Sequence, residues 1–167
     1  MNRFGKECFV SDLSDRQAIF ELAAAYSDAV NRKDWSAMAD VYCERGELSL
    51  GDAPPIVGRE AIRRSFEQLM SRDRDYVFQM THSGVIDLRG DSARSRWWFS
   101  ELKKPTGGAP EYLFGVYEDQ IVRLAEGWFF ARRSARRCLT WVLESADVAQ
   151  WPLCRFQELN ASVGRGG

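Results

Sequence analysis

Four consecutive segments rich in aromatic and β-branched residues occupy the chain from Tyr76 onwards. Short runs of turn-forming residues separate them, among them Arg89-Gly90-Asp91 and Ala125-Glu126-Gly127. Gly and Asp at such junctions favour hairpin turns, so the pattern predicts an antiparallel meander. The predicted strands are Tyr76–Leu88, Ser92–Lys103, Glu111–Leu124 and Trp128–Val142.

The residues before Tyr76 have a helical period instead. Apolar side chains recur every three or four positions from Ile19 to Val30, which predicts a long amphipathic helix. Asp34 is placed to cap a short second helix, and Gly58 precedes a third. Helices followed by a run of strands indicate an α+β fold, with three N-terminal helices packed on a curved, mainly antiparallel sheet.

The chain length of 167 residues suits one domain with short tails. We predict a flexible N-terminal arm over residues 1–11 and a single folded domain over residues 12–143. Residues 144–167 form a C-terminal extension, whose last residues we expect to be disordered.

Composition excludes several classes of function. Lys and Arg number 23 and Asp and Glu number 24, which argues against binding to nucleic acid. No apolar run approaches the ~20 residues that span a bilayer, and the N-terminus does not read as a signal peptide, so we expect no membrane partner and a cytoplasmic location. The four cysteines are widely spaced and read as reduced thiols. Neither metal-ligand spacing nor a nucleotide-binding motif is visible, so no metal and no cofactor are expected.

His82 is the single histidine of the chain. A turn of even length around Gly90 places His82 opposite Trp97 or Phe99 on the inward face, whereas an odd turn would reverse this. Imidazole accepts a proton near neutral pH, so an inward His82 is either a core residue or a general base. The residues by themselves leave both interpretations open.

The chain has 21 aromatic residues, and most of them must pack in the core. Some of them could instead line a pocket for a flat, apolar ligand. A cluster of four arginines near the end of the last predicted strand cannot share one face, because side chains alternate along a strand. We expect a charged outer face there, or one inward Arg that binds a carbonyl or carboxylate. The expected pocket residues are Trp97, Phe99 and Tyr117 on the sheet with Phe66 and Met70 on the third helix, and the arginines are Arg132, Arg133, Arg136 and Arg137.

Several short motifs occur in an order and spacing that resemble SnoaL-like and scytalone dehydratase-like proteins over roughly residues 12–140. The resemblance implies the cone-shaped nuclear transport factor 2-like fold, in which helices and a curved sheet enclose one pocket. It also implies self-association to a homodimer or homotrimer. The motifs are Tyr26–Trp35, Gly58–Ile62, Thr81-His82, Gly90–Arg94, Gly115–Asp119 and Gly127–Phe130 with Arg132 and Arg133.

The resemblance also implies a chemistry. In the family's dehydratases and dehydrochlorinases, an Asp at the end of the first helix orients a catalytic His on the sheet. His82 matches that histidine as general base, and Asn31 stands at the Asp position. The resemblance also implies three substrate-binding positions. They are Tyr26 and Val30 on the same helix, and Gly115, which stands where scytalone dehydratase has a second histidine.

Asn31 brings no charge to the histidine. The analogous Asp-to-Asn change in the serine-protease triad costs about 10⁴ in rate. Three alternatives remain: the chemistry is easier than dehydration, another carboxylate helps, or no proton is abstracted. The candidate substitute carboxylates are Asp28, Glu101 and Asp119.

We therefore expect a lyase, isomerase or cyclase that abstracts a proton from a hydrophobic cyclic, polyketide-like or steroid-like carbonyl compound. The alternative is a non-catalytic ligand-binding or assembly module, such as the small subunit of a ring-hydroxylating dioxygenase.

Overall fold

Three helices and a six-stranded sheet make up the computed structural model, which describes residues 6–72 and 74–143, with side chains over 12–69 and 76–143. The order of elements confirms the α+β class, with helices before the meander. The elements are α1 (Lys6–Asn31), α2 (Trp35–Asp40), β1 (Tyr42–Leu50), β2 (Ile56–Val57), α3 (Arg59–Arg72), β3 (Arg74–Arg89), β4 (Ser92–Pro105), β5 (Glu111–Leu124) and β6 (Gly127–Val142).

The sheet has the strand order β2-β1-β6-β5-β4-β3. The four predicted strands form the antiparallel meander β3–β6, with ends within a few residues of the prediction. The chain enters the sheet earlier, because β1 pairs in parallel with β6 and antiparallel with β2. Alternation over Glu47–Leu50 predicts a brief strand, and β1 extends that strand back to Tyr42, whereas β2 has no clear sequence signal.

Helix α1 begins at Lys6, so residues 6–11 are helical rather than part of a flexible arm. Asp34 caps α2 as predicted, since its Oδ1 accepts a hydrogen bond from the Ala37 backbone N–H at 3.0 Å. The predicted C-terminal extension, 144–167, lies outside the described residues.

The core lies between the helices and one face of the sheet, called here the inner face. Tyr26 from α1 sits at its centre, with its ring edge-on to Tyr42, Tyr117 and Phe130. All four rings are at most 2% exposed, and burying a large apolar side chain contributes roughly 1.5–3 kcal/mol. This aromatic packing holds α1 against the sheet.

The pairing of β3 with β4 slips by one residue midway along the hairpin. On the turn side Gly84 pairs with Trp97, whereas beyond the slip Thr81 pairs with Phe99. Two residues of β3 therefore stand opposite one residue of β4, which is a β-bulge. A Cβ at Gly84 would lie 2.2 Å from the Trp97 ring, so this close approach requires glycine.

The bulge overturns the expected orientation of His82. The turn has the predicted two-residue length. An even turn places His82 on the inward face only if the pairing of β3 with β4 is unbroken as far as His82. After the slip, Gln79 and Thr81 take the inner face because they pair with the inward Glu101 and Phe99. His82 is consequently exposed rather than inward.

Candidate active site

A cavity of about 220 Å³ lies between α1, α3 and the inner face of the sheet. It reaches solvent beside Gly51 and Arg137, both of which are exposed. Five of the residues expected in a pocket line it: Tyr26, Val30, Phe66, Phe99 and Tyr117. The other lining residues are Leu50, Gly51, Leu69, Gln79, Glu101, Lys103, Leu113, Ala135 and Arg137.

Two other expected pocket residues have different places, and the side chain of a third is not described. Trp97 is buried, but it borders a separate groove beside α1 and packs edge-on against Phe20 at 4.8 Å between ring centroids. Gly115 does not line the cavity; a Cβ there would lie 2.5 Å from the Phe99 ring, so glycine lets that ring lie flat on the sheet. The Met70 side chain lies outside the described residues.

His82 does not line the cavity either. Its Nε2 lies 2.8 Å from the Ser100 hydroxyl, and its ring lies 6.2 Å from that of Phe114, on the outer face of the sheet. It borders the open groove between α1 and β3. The expectation of an inward imidazole among aromatic side chains is therefore wrong, because the bulge reverses the face.

Asn31 is bound to the backbone of β3 rather than to an imidazole. Its Nδ2 donates to the Gln79 carbonyl at 2.7 Å, and its Oδ1 accepts from the Gln79 N–H at 2.6 Å. The sheet position beside Asn31 is thus held by Gln79, whose side chain lines the cavity. The expected pair of Asn31 and His82 is not brought together.

One carboxylate does lie in the cavity wall. Glu101 is 13% exposed, accepts a hydrogen bond from Gln79 Nε2 at 3.1 Å, and lies 3.8 Å from Lys103 Nζ. The Lys103 ammonium also lies 3.4 Å from Glu111. The trio of Glu101, Lys103 and Glu111 therefore carries one surplus negative charge.

The two other candidate carboxylates are occupied elsewhere. Asp28 is half exposed on α1 and pairs with Arg32 at 2.9 Å. Asp119 lies in the core and forms a bidentate pair with Arg133, with both contacts at 2.9 Å. Glu101 is consequently the candidate that geometry favours for proton transfer.

The floor of the cavity is aromatic. Phe99 stacks on Tyr117 at 4.1 Å between centroids, and Tyr26 meets Tyr117 edge-on at 5.8 Å. Burial raises the pKa of Tyr26 to about 12, the Arg133 charge opposes this rise, and the nearby Glu101 charge adds to it. Burial also raises the pKa of Tyr117 well above its usual value. Both phenols are therefore hydrogen-bond donors at neutral pH.

Arg133 supports that floor from below. Its guanidinium is fully buried and lies 4.5 Å from the Tyr26 centroid, 4.2 Å from that of Tyr117 and 3.9 Å from that of Phe130. Asp119 neutralises its charge, and Ser95 donates to Asp119 at 3.0 Å. The pair holds the tyrosines in place through cation–π contacts.

The arginine cluster divides between the two faces, as alternation predicts. Arg133 and Arg137 face inward, and Arg137 lines the cavity. Arg132 pairs with Glu47 at 3.2 Å, and Arg136 lies 4.0 Å from Glu118. We expected at most one inward Arg, whereas two of the four arginines face inward.

Sequence reasoning missed Gln79 and Lys103 as cavity residues. Alternation along β4 is a usable signal for Lys103, because it lies two and four residues beyond Glu101 and Phe99 on the same face. Gln79 has no such signal, because the bulge sets its orientation.

Within residues 12–69 and 76–143, no group of three or more His, Cys, Asp or Glu side chains is arranged to hold a metal ion. Of the helices in the described ranges, none combines the length and apolar character needed to cross a bilayer.

The cone of helices on a curved six-stranded sheet, with a cavity at its inner face, is the nuclear transport factor 2-like architecture. Within it, the chain belongs to the SnoaL-like domain family, whose sequence profile matches residues 11–134.

The chain is also similar to individual proteins. An uncharacterized protein of Mycobacterium tuberculosis is 26% identical over 132 residues, which cover 77% of this chain and 89% of the relative. A Novosphingobium aromaticivorans protein provisionally named scytalone dehydratase has a TM-score of 0.74 at 21% identity, covering 83% of this chain and 93% of the other. The hexachlorocyclohexane dehydrochlorinase LinA-type3 of Novosphingobium barchaimii has a TM-score of 0.78 at 14% identity, covering 84% and 97%. At these identities the two structures establish the fold.

Proposed function

We propose that this protein is a cofactor-independent isomerase or lyase that abstracts a proton next to the carbonyl group of a small cyclic compound. Glu101 in the cavity wall is the general base, in place of the histidine that the family resemblance implied. The single observation that carries the proposal is that one carboxylate and two buried phenols lie in the wall of one cavity.

The proposed step uses groups of the chain alone. The Glu101 carboxylate takes a proton from the carbon next to the carbonyl, and the electron pair of the broken C–H bond moves onto the carbonyl oxygen. A hydrogen bond from Tyr26 or Tyr117 stabilises the developing enolate, which is where a donor contributes most. The enolate then collapses, either by returning the proton to another carbon or by expelling a leaving group. Ketosteroid isomerase combines an Asp base with a Tyr donor in this way.

The size of the cavity limits the substrate. An apolar cavity of about 150 Å³ holds benzene, so about 220 Å³ suits one ring with substituents. The proposed substrate is therefore smaller than the steroid-like or polyketide-like compounds that the sequence suggested.

The test is the isomerisation of 3-cyclohexenone to the conjugated 2-cyclohexenone, followed by ultraviolet absorbance. This reaction moves one proton from carbon 2 to carbon 4 through a dienolate and needs no co-reactant. We expect the wild-type protein to accelerate it, and Glu101→Gln to lower the rate 10²- to 10⁴-fold, because general base catalysis contributes about that much.

The matched control is Glu118→Gln, which removes a carboxylate from the outer face of the sheet. The control should keep the wild-type rate. A Glu101→Gln variant as active as wild type would refute Glu101 as the base.

A ligand-binding protein without catalysis is the second candidate. It is favoured by Asn31, whose side-chain amide makes two hydrogen bonds to the backbone of Gln79. Asn31 therefore brings no charge to the position where the family resemblance implies a catalytic Asp. In that case the cavity binds cyclic ketones, and neither wild type nor Glu101→Gln exceeds the uncatalysed rate.

We also propose that a second copy of the chain covers the outer face of the sheet. Large apolar side chains of β3, β4 and β6 are 40–51% exposed there, and the partly buried rings of Tyr112 and Phe114 on β5 lie between them. Patches of this kind mark protein interfaces. The exposed members are Phe78, Met80, Trp98, Leu139 and Trp141.

A further inference from the structure

Arg137 occupies the inner face of β6 at the mouth of the cavity. It pairs with Gly115 on β5, which in turn pairs with the cavity residue Phe99 on β4. Because Gly115 has no side chain, the Phe99 ring can lie across it. The Arg137 side chain lines the cavity and remains exposed.

Arg137 differs from the other charged residues of this cavity in having no ion pair. Within residues 12–69 and 76–143, no carboxylate lies within 4.0 Å of its guanidinium, and it makes no side-chain hydrogen bond. Two other arginines of the strand have carboxylate partners: Arg133 pairs with Asp119, and Arg136 approaches Glu118. The guanidinium at the mouth is therefore available to a ligand.

The charges deeper in the cavity favour one orientation of an anionic ligand, with its anionic group at the mouth. The trio of Glu101, Lys103 and Glu111 carries a surplus negative charge, which repels an anion from that part of the wall. Glu101 on β4 and Arg137 on β6 are two strands apart, which separates their backbones by roughly 10 Å. A backbone separation of this size is compatible with a single ring substituted at opposite ends.

We propose that the ligand carries a carboxylate that binds Arg137 at the mouth, while its ring and carbonyl group enter the cavity towards Glu101 and the tyrosine floor. The planar guanidinium matches a carboxylate through two parallel hydrogen bonds, which a neutral group cannot reproduce. The ligand class is thus a one-ring oxo acid. This inference rests on the proposed function for the place of the carbonyl group, but the carboxylate site can be tested by binding alone.

The experiment compares benzoate with its neutral isostere benzamide as ligands of the full-length protein, by calorimetry or by NMR shift perturbation. We expect benzoate to bind at least ten times more tightly than benzamide. Arg137→Gln should remove this preference, and Arg137→Lys should keep part of it, because an ammonium keeps the charge but not the bidentate geometry.

Arg136→Gln is the matched control, since Arg136 is adjacent in the chain but faces outward. It should retain the full preference for benzoate. Equal affinity for the two compounds in wild type, no binding of benzoate at millimolar concentration, or an unchanged preference in Arg137→Gln would each overturn the proposal. The Glu101→Gln variant should still prefer benzoate, so failure of the catalytic proposal and failure of the carboxylate site give different results.

Discussion

Tyr26 is where packing and the proposed chemistry meet. Its ring belongs to the core, and it also lines the cavity. Burial holds its pKa at about 12, compared with 10 for an unfolded tyrosine. The unfolded chain therefore loses this proton from about pH 10, whereas the folded protein keeps it until about pH 12, so stability is lost as the pH rises through that window.

This difference predicts alkaline destabilisation. Two pH units correspond to roughly 3 kcal/mol of unfolding free energy for Tyr26 alone. Burial also raises the pKa values of Tyr42 and Tyr117, so the total loss in wild type should be larger. We expect urea unfolding between pH 8 and 12 to show a steep decline in stability, and Tyr26→Phe to make that decline shallower.

The control for this measurement is Tyr112→Phe, which removes a phenol that packs against Trp141 away from the cavity floor. Its pH dependence should follow that of wild type. A Tyr26→Phe variant with the wild-type slope above pH 10 would contradict the assignment.

At the residue scale, sequence reasoning succeeded where side-chain direction follows from alternation within an unbroken strand. Phe99 and Tyr117, which were expected in a pocket, lie in such stretches of β4 and β5, and both line the cavity. His82 lies at an irregularity, and a shift of one residue sends a side chain to the opposite face. Motif resemblance pointed to the same histidine, so it could not reveal the shift.

At the scale of the element, the bulge in β3 decides which side chains reach the cavity. It exists where Gly84 passes over the Trp97 ring, and it turns Gln79 inward to meet Asn31 and Glu101. A bulge is set by contacts across strands, so the composition of a single strand does not reveal it.

Gly84→Ala should therefore be strongly destabilising. The added Cβ would lie 2.2 Å from a Trp97 ring atom and 2.7 Å from the Arg96 carbonyl oxygen, so the hairpin must shift. We expect a loss of about 1–3 kcal/mol in unfolding free energy, as for other overpacked sites, measured by thermal or urea unfolding.

Gly108→Ala is the comparison variant, since a Cβ there meets only Pro105 at 3.2 Å in an exposed turn. Its cost should be below about 1 kcal/mol. Equal costs for the two variants would show that the approach of Trp97 does not set the bulge.

The boundaries of elements were predictable where periodicity changes sharply. The hairpin separators of the meander coincide with the observed turns, because Gly and Asp there suit tight turns. The start of α1 and the two-residue β2 were not predictable. The start of α1 lies well before the periodic segment that begins at Ile19, and β2 depends on pairing with β1.

At the scale of the whole molecule, the two faces of the sheet differ in what they contact. The inner face meets α1 and α3 and holds the cavity, while the large apolar side chains of the outer face are 40–51% exposed. Cavity and patch share strands β3, β4, β5 and β6, so burying the patch would also brace the strands that carry Glu101 and Arg137.

If a second copy covers the outer face, charges placed there should separate the copies. Trp98 and Trp141 are 51% and 48% exposed, so Trp98→Glu and Trp141→Glu should cost the single chain little stability while setting like charges against each other. We expect wild type to sediment as a dimer or trimer at micromolar concentration and the double variant as a monomer. Leu13→Glu, at a 65% exposed position on α1, is the matched control and should keep the wild-type assembly. A monomeric wild-type protein, or a double variant that remains assembled, would exclude this face as the interface.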